Sequence, residues 1–204
     1  MNKIHASLWS LHLEAPSKRM PKVAKVAEGT IIVSDIVGAN KLFATLPAKD
    51  YFETLDKHVD LVSSQVSAHG GEILYTDGDS IYVSQPGGID TALALSTSLQ
   101  QAAIGHSFGF SVGISHGDIV ERRHEATTTF EGTTLVMAKA MAHIGNAGAI
   151  FLCAAAFSKI SSSPQFVSLQ HSFAVPLTIT SLPYFNRNGV AHEYVWSGKP
   201  FGQK

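Results

Sequence analysis

The sequence has one cysteine in 204 residues, no excess of either charge sign, no long apolar run and no secretion signal. Each absence removes a class of protein. A single cysteine, Cys153, cannot close an internal disulfide, which excludes a disulfide-stapled scaffold and suits a reducing cytoplasm. It lies in the apolar stretch Ile150-Phe151-Leu152-Cys153-Ala154-Ala155-Ala156, where packing is its simplest role. A formal net charge of −1 gives no reason to expect a nucleic-acid or anionic-membrane surface. The longest apolar run, residues 147–157, is far shorter than the roughly 20 residues that span a bilayer. The first 25 residues mix Lys3, His5, Glu14, Lys18 and Arg19 with scattered apolar side chains, without the apolar core and cleavage site of a signal peptide. Ten histidines show no His-x-x-x-His spacing, so His116 and His143 read as packing or surface residues rather than zinc ligands. What remains is 45% hydrophobic and 15% charged, an apolar globule long enough to bury a full core.

Two carboxylates stand out against that background. Asp35 ends the apolar run Thr30-Ile31-Ile32-Val33-Ser34 and precedes Ile36-Val37-Gly38. Asp79 lies in Tyr75-Thr76-Asp77-Gly78-Asp79, inside an apolar hairpin. Strand positions of this kind favour Val, Ile and Tyr, so an ionised carboxylate there needs a partner. A hard divalent cation, Mg²⁺ or Mn²⁺, takes carboxylate and carbonyl oxygens and is the partner expected. Asp77-Gly78 alone is ordinary turn chemistry, and Tyr75 alone reads as strand packing.

Residues 1–28 read as an N-terminal extension, broken at Pro16 and Pro21, and residues 29–204 as the domain. A strand is expected over 29–35. Phe52, Leu55, Val59, Val62 and Val66 recur at helical spacing, predicting a helix over 48–68 that Gly70-Gly71 stops. A hairpin follows, with strands 72–76 and 80–84 about an Asp77-Gly78 turn. A second helix is expected over about 90–103. Next come a buried strand over 108–114 continued at 119–120, a polar hairpin loop or half-exposed strand over 122–131, and a third helix after Gly132. Further strands are expected at 149–153, 165–169, 172–180 and 190–196. The order predicts an α+β fold: a ferredoxin-like βαββαβ core, a mixed or antiparallel sheet with helices on one face, and a β-rich C-terminal extension.

Order and motifs together resemble the catalytic domain of class III nucleotidyl cyclases, the adenylate and guanylate cyclase family, over residues 29–157. The segments that carry the likeness are Val33-Ser34-Asp35-Ile36-Val37-Gly38, His69-Gly70-Gly71-Glu72 through Gly78-Asp79, Ser111 to Gly117, Phe130-Glu131-Gly132 to Ala138, and Gly148-Ala149-Ile150. The resemblance implies that Asp35 and Asp79 hold two divalent ions with help from the Ile36 carbonyl. It implies that the backbone of Val37, Gly38, Ala39 and Asn40 faces the phosphates, joined by Arg187 from a late hairpin. It also implies a two-fold homodimer acting on a nucleoside triphosphate, and a 3′,5′-cyclic nucleotide read by a downstream effector protein.

This sequence departs from the family at the base and at the transition state. The adenine-selecting lysine position is Tyr75 and its companion is Thr129; the transition-state asparagine and arginine positions are Val136 and Ala140. Lys139 adjoins the arginine position, but one helical step turns a side chain by about 100°; Lys139, Arg122, Arg123 and Arg187 are the candidates to reach the phosphates in place of the missing groups. Loss of both purine-selecting residues favours UTP or CTP, as in the pyrimidine cyclases of bacterial anti-phage signalling that this chain resembles more loosely. Two functions are compatible with the sequence: a metal-dependent cyclase, or an inactive cyclase-homology domain serving as a dimerisation or nucleotide-sensing module.

Overall fold

The computed structural model describes residues 23–124, 127–169, 172–174, 176–179, 184–185 and 188–196. Its elements in chain order are β1 (Val23–Ile36), α1 (Ala39–Thr45), α2 (Ala48–Ala68), β2 (Glu72–Asp77), β3 (Ser80–Gln85), α3 (Ile89–Ala102), β4 (Phe110–His124) and β5 (Thr127–Glu131), followed by α4 (Thr133–His143), β6 (Ile150–Cys153), α5 (Ala154–Ser161), α6 (Phe166–Leu169), β7 (Leu177–Ile179) and β8 (Gly189–Glu193). The strands form one mixed sheet in the order β2-β3-β1-β4-β6-β8-β7, with β5 paired to β4. All the pairings are antiparallel except β4 with β6.

The mixed α+β architecture is the one expected, and its helices are divided between both faces of the sheet rather than gathered on one. Side chains along β1 alternate between the faces. Ile32 joins the core that holds Val62 and Val66 of α2 and Leu95 and Leu99 of α3. Ile31 and Val33 pack instead with Leu135, Ala138 and Ala142 of α4. The approach of α4 is close because β4 carries Gly113: a Cβ there would run into the Ala138 carbonyl oxygen and the Ala142 amide nitrogen. Asp35 shares the parity of Ile31 and Val33 and so faces α4; Ser34 faces α2.

α2 and the β2–β3 hairpin lie within a residue of where the sequence pattern puts them, and five other stretches differ. β1 begins at Val23, six residues before the expected strand start, because β4 continues to His124 and supplies partners as far as Arg122. β4 runs unbroken through His116-Gly117. Residues 165–169, expected as a strand, contain α6: Phe166 and Ser168 amides donate three residues back, to Ser163 and Gln165 carbonyls. Of residues 172–180, only Leu177–Ile179 is a strand, while Phe173 makes a single bridge to Tyr194. α5 was not expected; Cys153 Sγ caps it by accepting from the Ala156 amide at 3.4 Å. No helix among the described residues is long and apolar enough to cross a membrane.

Candidate functional site

Asp35 and Asp79 line one cavity of about 210 Å³, together with the start of α1 and the C-terminal half of α4. Two adjacent strands bring them there. Asp35 is opposite Ser80 across the β1–β3 ladder, and Asp79 immediately precedes Ser80 in the hairpin tip. The hairpin closes one residue later than the Asp77-Gly78 dipeptide suggests: Asp77 pairs with Ser80, leaving Gly78-Asp79 as the turn. Gly78 takes φ 62, the positive value that the first central residue of a tight hairpin turn requires. Asp79 is thereby raised over the end of β1.

The electrostatics of the pair are those of two like charges. Asp35 is 8% exposed, accepts a short hydrogen bond from Ser80 Oγ, and has His143 Nδ1 3.6 Å from its other oxygen. Burial, and next the Asp35 charge, raise the pKa of Asp79 above the ordinary carboxylate range. Among the described residues no group of three or more His, Cys, Asp or Glu side chains is placed to hold a metal ion. Asp35, Ile36 and Asp79 nevertheless line one cavity, where carboxylates and a backbone carbonyl are hard oxygen donors, and a divalent cation would offset the burial and the repulsion that raise Asp79. The donor set fits Mg²⁺ or Mn²⁺.

The remaining expected residues divide. Val37, Gly38, Ala39 and Asn40 line the cavity, but the Val37 amide is already given to the Gly109 carbonyl at 3.0 Å. Gly38 to Asn40 open α1, where first-turn amides have no acceptor within a helix. Tyr75 and Thr129 are not on the cavity. A bulge between Ile73 and Tyr75 sets Tyr75 opposite Tyr82, their rings stacked at 4.3 Å, and Thr129 is on exposed β5 opposite Arg122. Arg187 lies outside the described residues. Val136 is 39% exposed, and Ala140 is fully buried in the core.

Ser80, His143 and Tyr184 line the cavity without a signal for it in the sequence, and Lys139, one of four cations the sequence offers as a substitute phosphate contact, lines it as well. Lys139 and His143 are one helical turn apart on α4, and only the docking of α4 at Gly113 turns them toward Asp35. Lys139 Nζ donates to Asp77 Oδ2 at 2.7 Å and stands 5.9 and 6.0 Å from the Tyr82 and Tyr184 rings. Behind β1, Ser34 Oγ and His58 Nε2 share a 2.7 Å hydrogen bond, so α2 braces the strand one residue from Asp35. Burial pushes the His58 pKa down to about 4, which keeps that imidazole neutral.

No protein-family model and no curated protein sequence matches the chain. Its structure is nonetheless similar to solved cyclase domains. The guanylate cyclase domain of RhGC from Catenaria anguillulae, in complex with GTP, superposes with a TM-score of 0.67 at 18% identity, covering 84% of this chain and 98% of that one. The guanylyl cyclase Cya2 gives 0.68 at 18% identity, over 88% and 98%. The adenylyl cyclase CyaB from P. aeruginosa gives 0.59 at 17% identity, over 87% and 100%. The chain has the fold of class III adenylyl and guanylyl cyclase catalytic domains, at sequence identities where the likeness is one of fold.

Proposed function

We propose that the chain is a nucleotidyl cyclase that converts a nucleoside triphosphate to a 3′,5′-cyclic nucleotide and pyrophosphate. The observation that carries this reading is the meeting of Asp35 and Asp79 on one cavity with the opening of α1. In the reaction the ribose 3′-oxygen attacks the α-phosphorus, its proton leaves, and the bond to the β-phosphate oxygen breaks with release of pyrophosphate. Asp35, Asp79 and the Ile36 carbonyl would hold Mg²⁺ or Mn²⁺, which supplies a Lewis acid for the hydroxyl and the phosphates. Gly38, Ala39 and Asn40 border the triphosphate, with Arg187 as a further phosphate contact. Ser80 orients the Asp35 carboxylate.

The cavity is smaller than the roughly 300–1,000 Å³ of a complete small-molecule site, which supports a site finished by a second copy in a two-fold homodimer. The base then lies against Tyr75 of the second copy, on the face that carries α4, whereas Thr129, of opposite parity to Phe130 on that face, turns away from it. Tyr75 presents no ammonium to a purine nitrogen, so we favour UTP or CTP, and a cytoplasmic second-messenger synthase of anti-phage defence whose product an effector protein reads. The free, buried Cys153 supports that compartment. A second reading, an inactive dimerisation or nucleotide-sensing module, is favoured by Val136 and by Ala140, whose full burial leaves no room for an arginine.

The test is incubation of the protein with ATP, GTP, CTP and UTP and Mn²⁺, with products read by mass spectrometry. A cyclic mononucleotide that disappears with Asp35→Ala supports the enzyme and names its base. No product from any of the four selects the binding module.

A further inference from the structure

We propose that Lys139 is a triphosphate-binding residue of this cavity and that Asp77 competes with the triphosphate for its ammonium. The inference rests on the cyclase reading for its substrate class, a nucleoside triphosphate, and it selects Lys139 from the four cations that the sequence offers as substitute phosphate contacts. Three observations carry it.

The first is charge. Asp35 and Asp79 make the cavity anionic, and a triphosphate is anionic too, so cations must stand between them. Lys139 is the only lysine or arginine among the described residues that line the cavity. The second is placement. The Lys139 side chain is 18% exposed, whereas its partner carboxylate on Asp77 is 62% exposed. The ammonium is thus held inward by a carboxylate at the rim, and Tyr82 and Tyr184 flank it. Burial alone would lower its pKa, but the Asp77 contact more than offsets this, so the ammonium stays charged. The third is the weakness of the tether. An ion pair whose carboxylate faces water contributes little, so a triphosphate, with several charged oxygens, displaces Asp77 readily and gains a charge-assisted hydrogen bond. Asp77 has no direct contact with substrate in this scheme; it holds the ammonium until a triphosphate takes it.

Calorimetric binding of inorganic triphosphate to the full chain in Mg²⁺ buffer tests this without requiring turnover. Lys139→Met keeps the aliphatic stem against Tyr82 and is expected to weaken binding about ten- to hundredfold, the loss of one charge-assisted contact. Lys139→Arg should restore most of it. UTP and CTP should weaken by the same factor as inorganic triphosphate, because the contact is to phosphate. Asp77→Asn, a change at an exposed rim, should tighten binding a few-fold by removing the competitor. Equal affinity of wild type and a folded Lys139→Met overturns the proposal, as does a wild type that does not bind triphosphate. Should Lys139→Met fail to fold, unchanged or weaker binding by Asp77→Asn overturns it. The cyclase reading fails separately: triphosphate binding that depends on Lys139 with no cyclic product sustains the inference alone, and product formation with an unchanged KM in Lys139→Met sustains the cyclase alone.

Discussion

Asp79 and His58 flank the end of β1, and the surroundings of each disfavour its charged form. For Asp79 burial and the Asp35 charge disfavour the anion. A carboxylate with a raised folded pKa destabilises the fold at neutral pH, where the unfolded chain ionises freely. Asp79→Asn is therefore expected to raise the melting temperature in metal-free buffer. Mn²⁺ should then stabilise the wild type and not the variant, which differential scanning fluorimetry with and without the ion will read. His58 acts with the opposite sign: its folded pKa is depressed to about 4 from an ordinary 6.5. Between those values the unfolded chain binds a proton that the folded one does not, so stability is full above the ordinary value and falls as pH drops. We expect about 2 kcal/mol less stability at pH 5 than at pH 7 from this group, measured by denaturant unfolding, and a flatter profile in His58→Gln. The two aspartates were legible in the sequence because carboxylates are out of place in apolar strands. His58 was not, since nothing in its helix shows that it meets Ser34.

The docking of α4 assembles the site at the next scale. Gly113 lets the helix backbone sit on β4, and that seat turns Lys139 and His143 toward Asp35. Gly113→Ala should cost several kcal/mol, in the range of severe overpacking, and should weaken triphosphate binding even where the protein still folds. Thermal unfolding and calorimetry on the same sample check both. This also explains which elements could be read in advance. α2 and the hairpin announce themselves through helical spacing and Asp-Gly. The cavity side of α4 does not: Ala138, Ala140, Met141 and Ala142 are all buried, so the helix is apolar nearly all round and its sequence gives no orientation. α5 was hidden similarly, as Ala154-Ala155-Ala156 continues the apolar run of β6 and its cap is a cysteine rather than a serine or aspartate.

For the molecule as a whole, the sheet face that carries α4 also bears half-exposed Val136 and partly buried Tyr75 and Phe130. In the proposed homodimer that face is covered. Specific activity should then rise with protein concentration, and Val136→Glu should weaken association about tenfold or more; sedimentation velocity checks the association. The long β1–β4 ladder has a consequence in time. β1 pairs with β3 and β4, never with its nearest neighbour in the chain, and its register with β4 runs from Val23 opposite Arg122 to Ile36 opposite Phe110. Closing such distant pairs costs chain entropy before any contact rewards it. During synthesis the first strand has β3 beside it long before β4 has left the ribosome, so the carboxylate encoded earliest in the site waits for residues 110–124 before its strand is flanked on both sides.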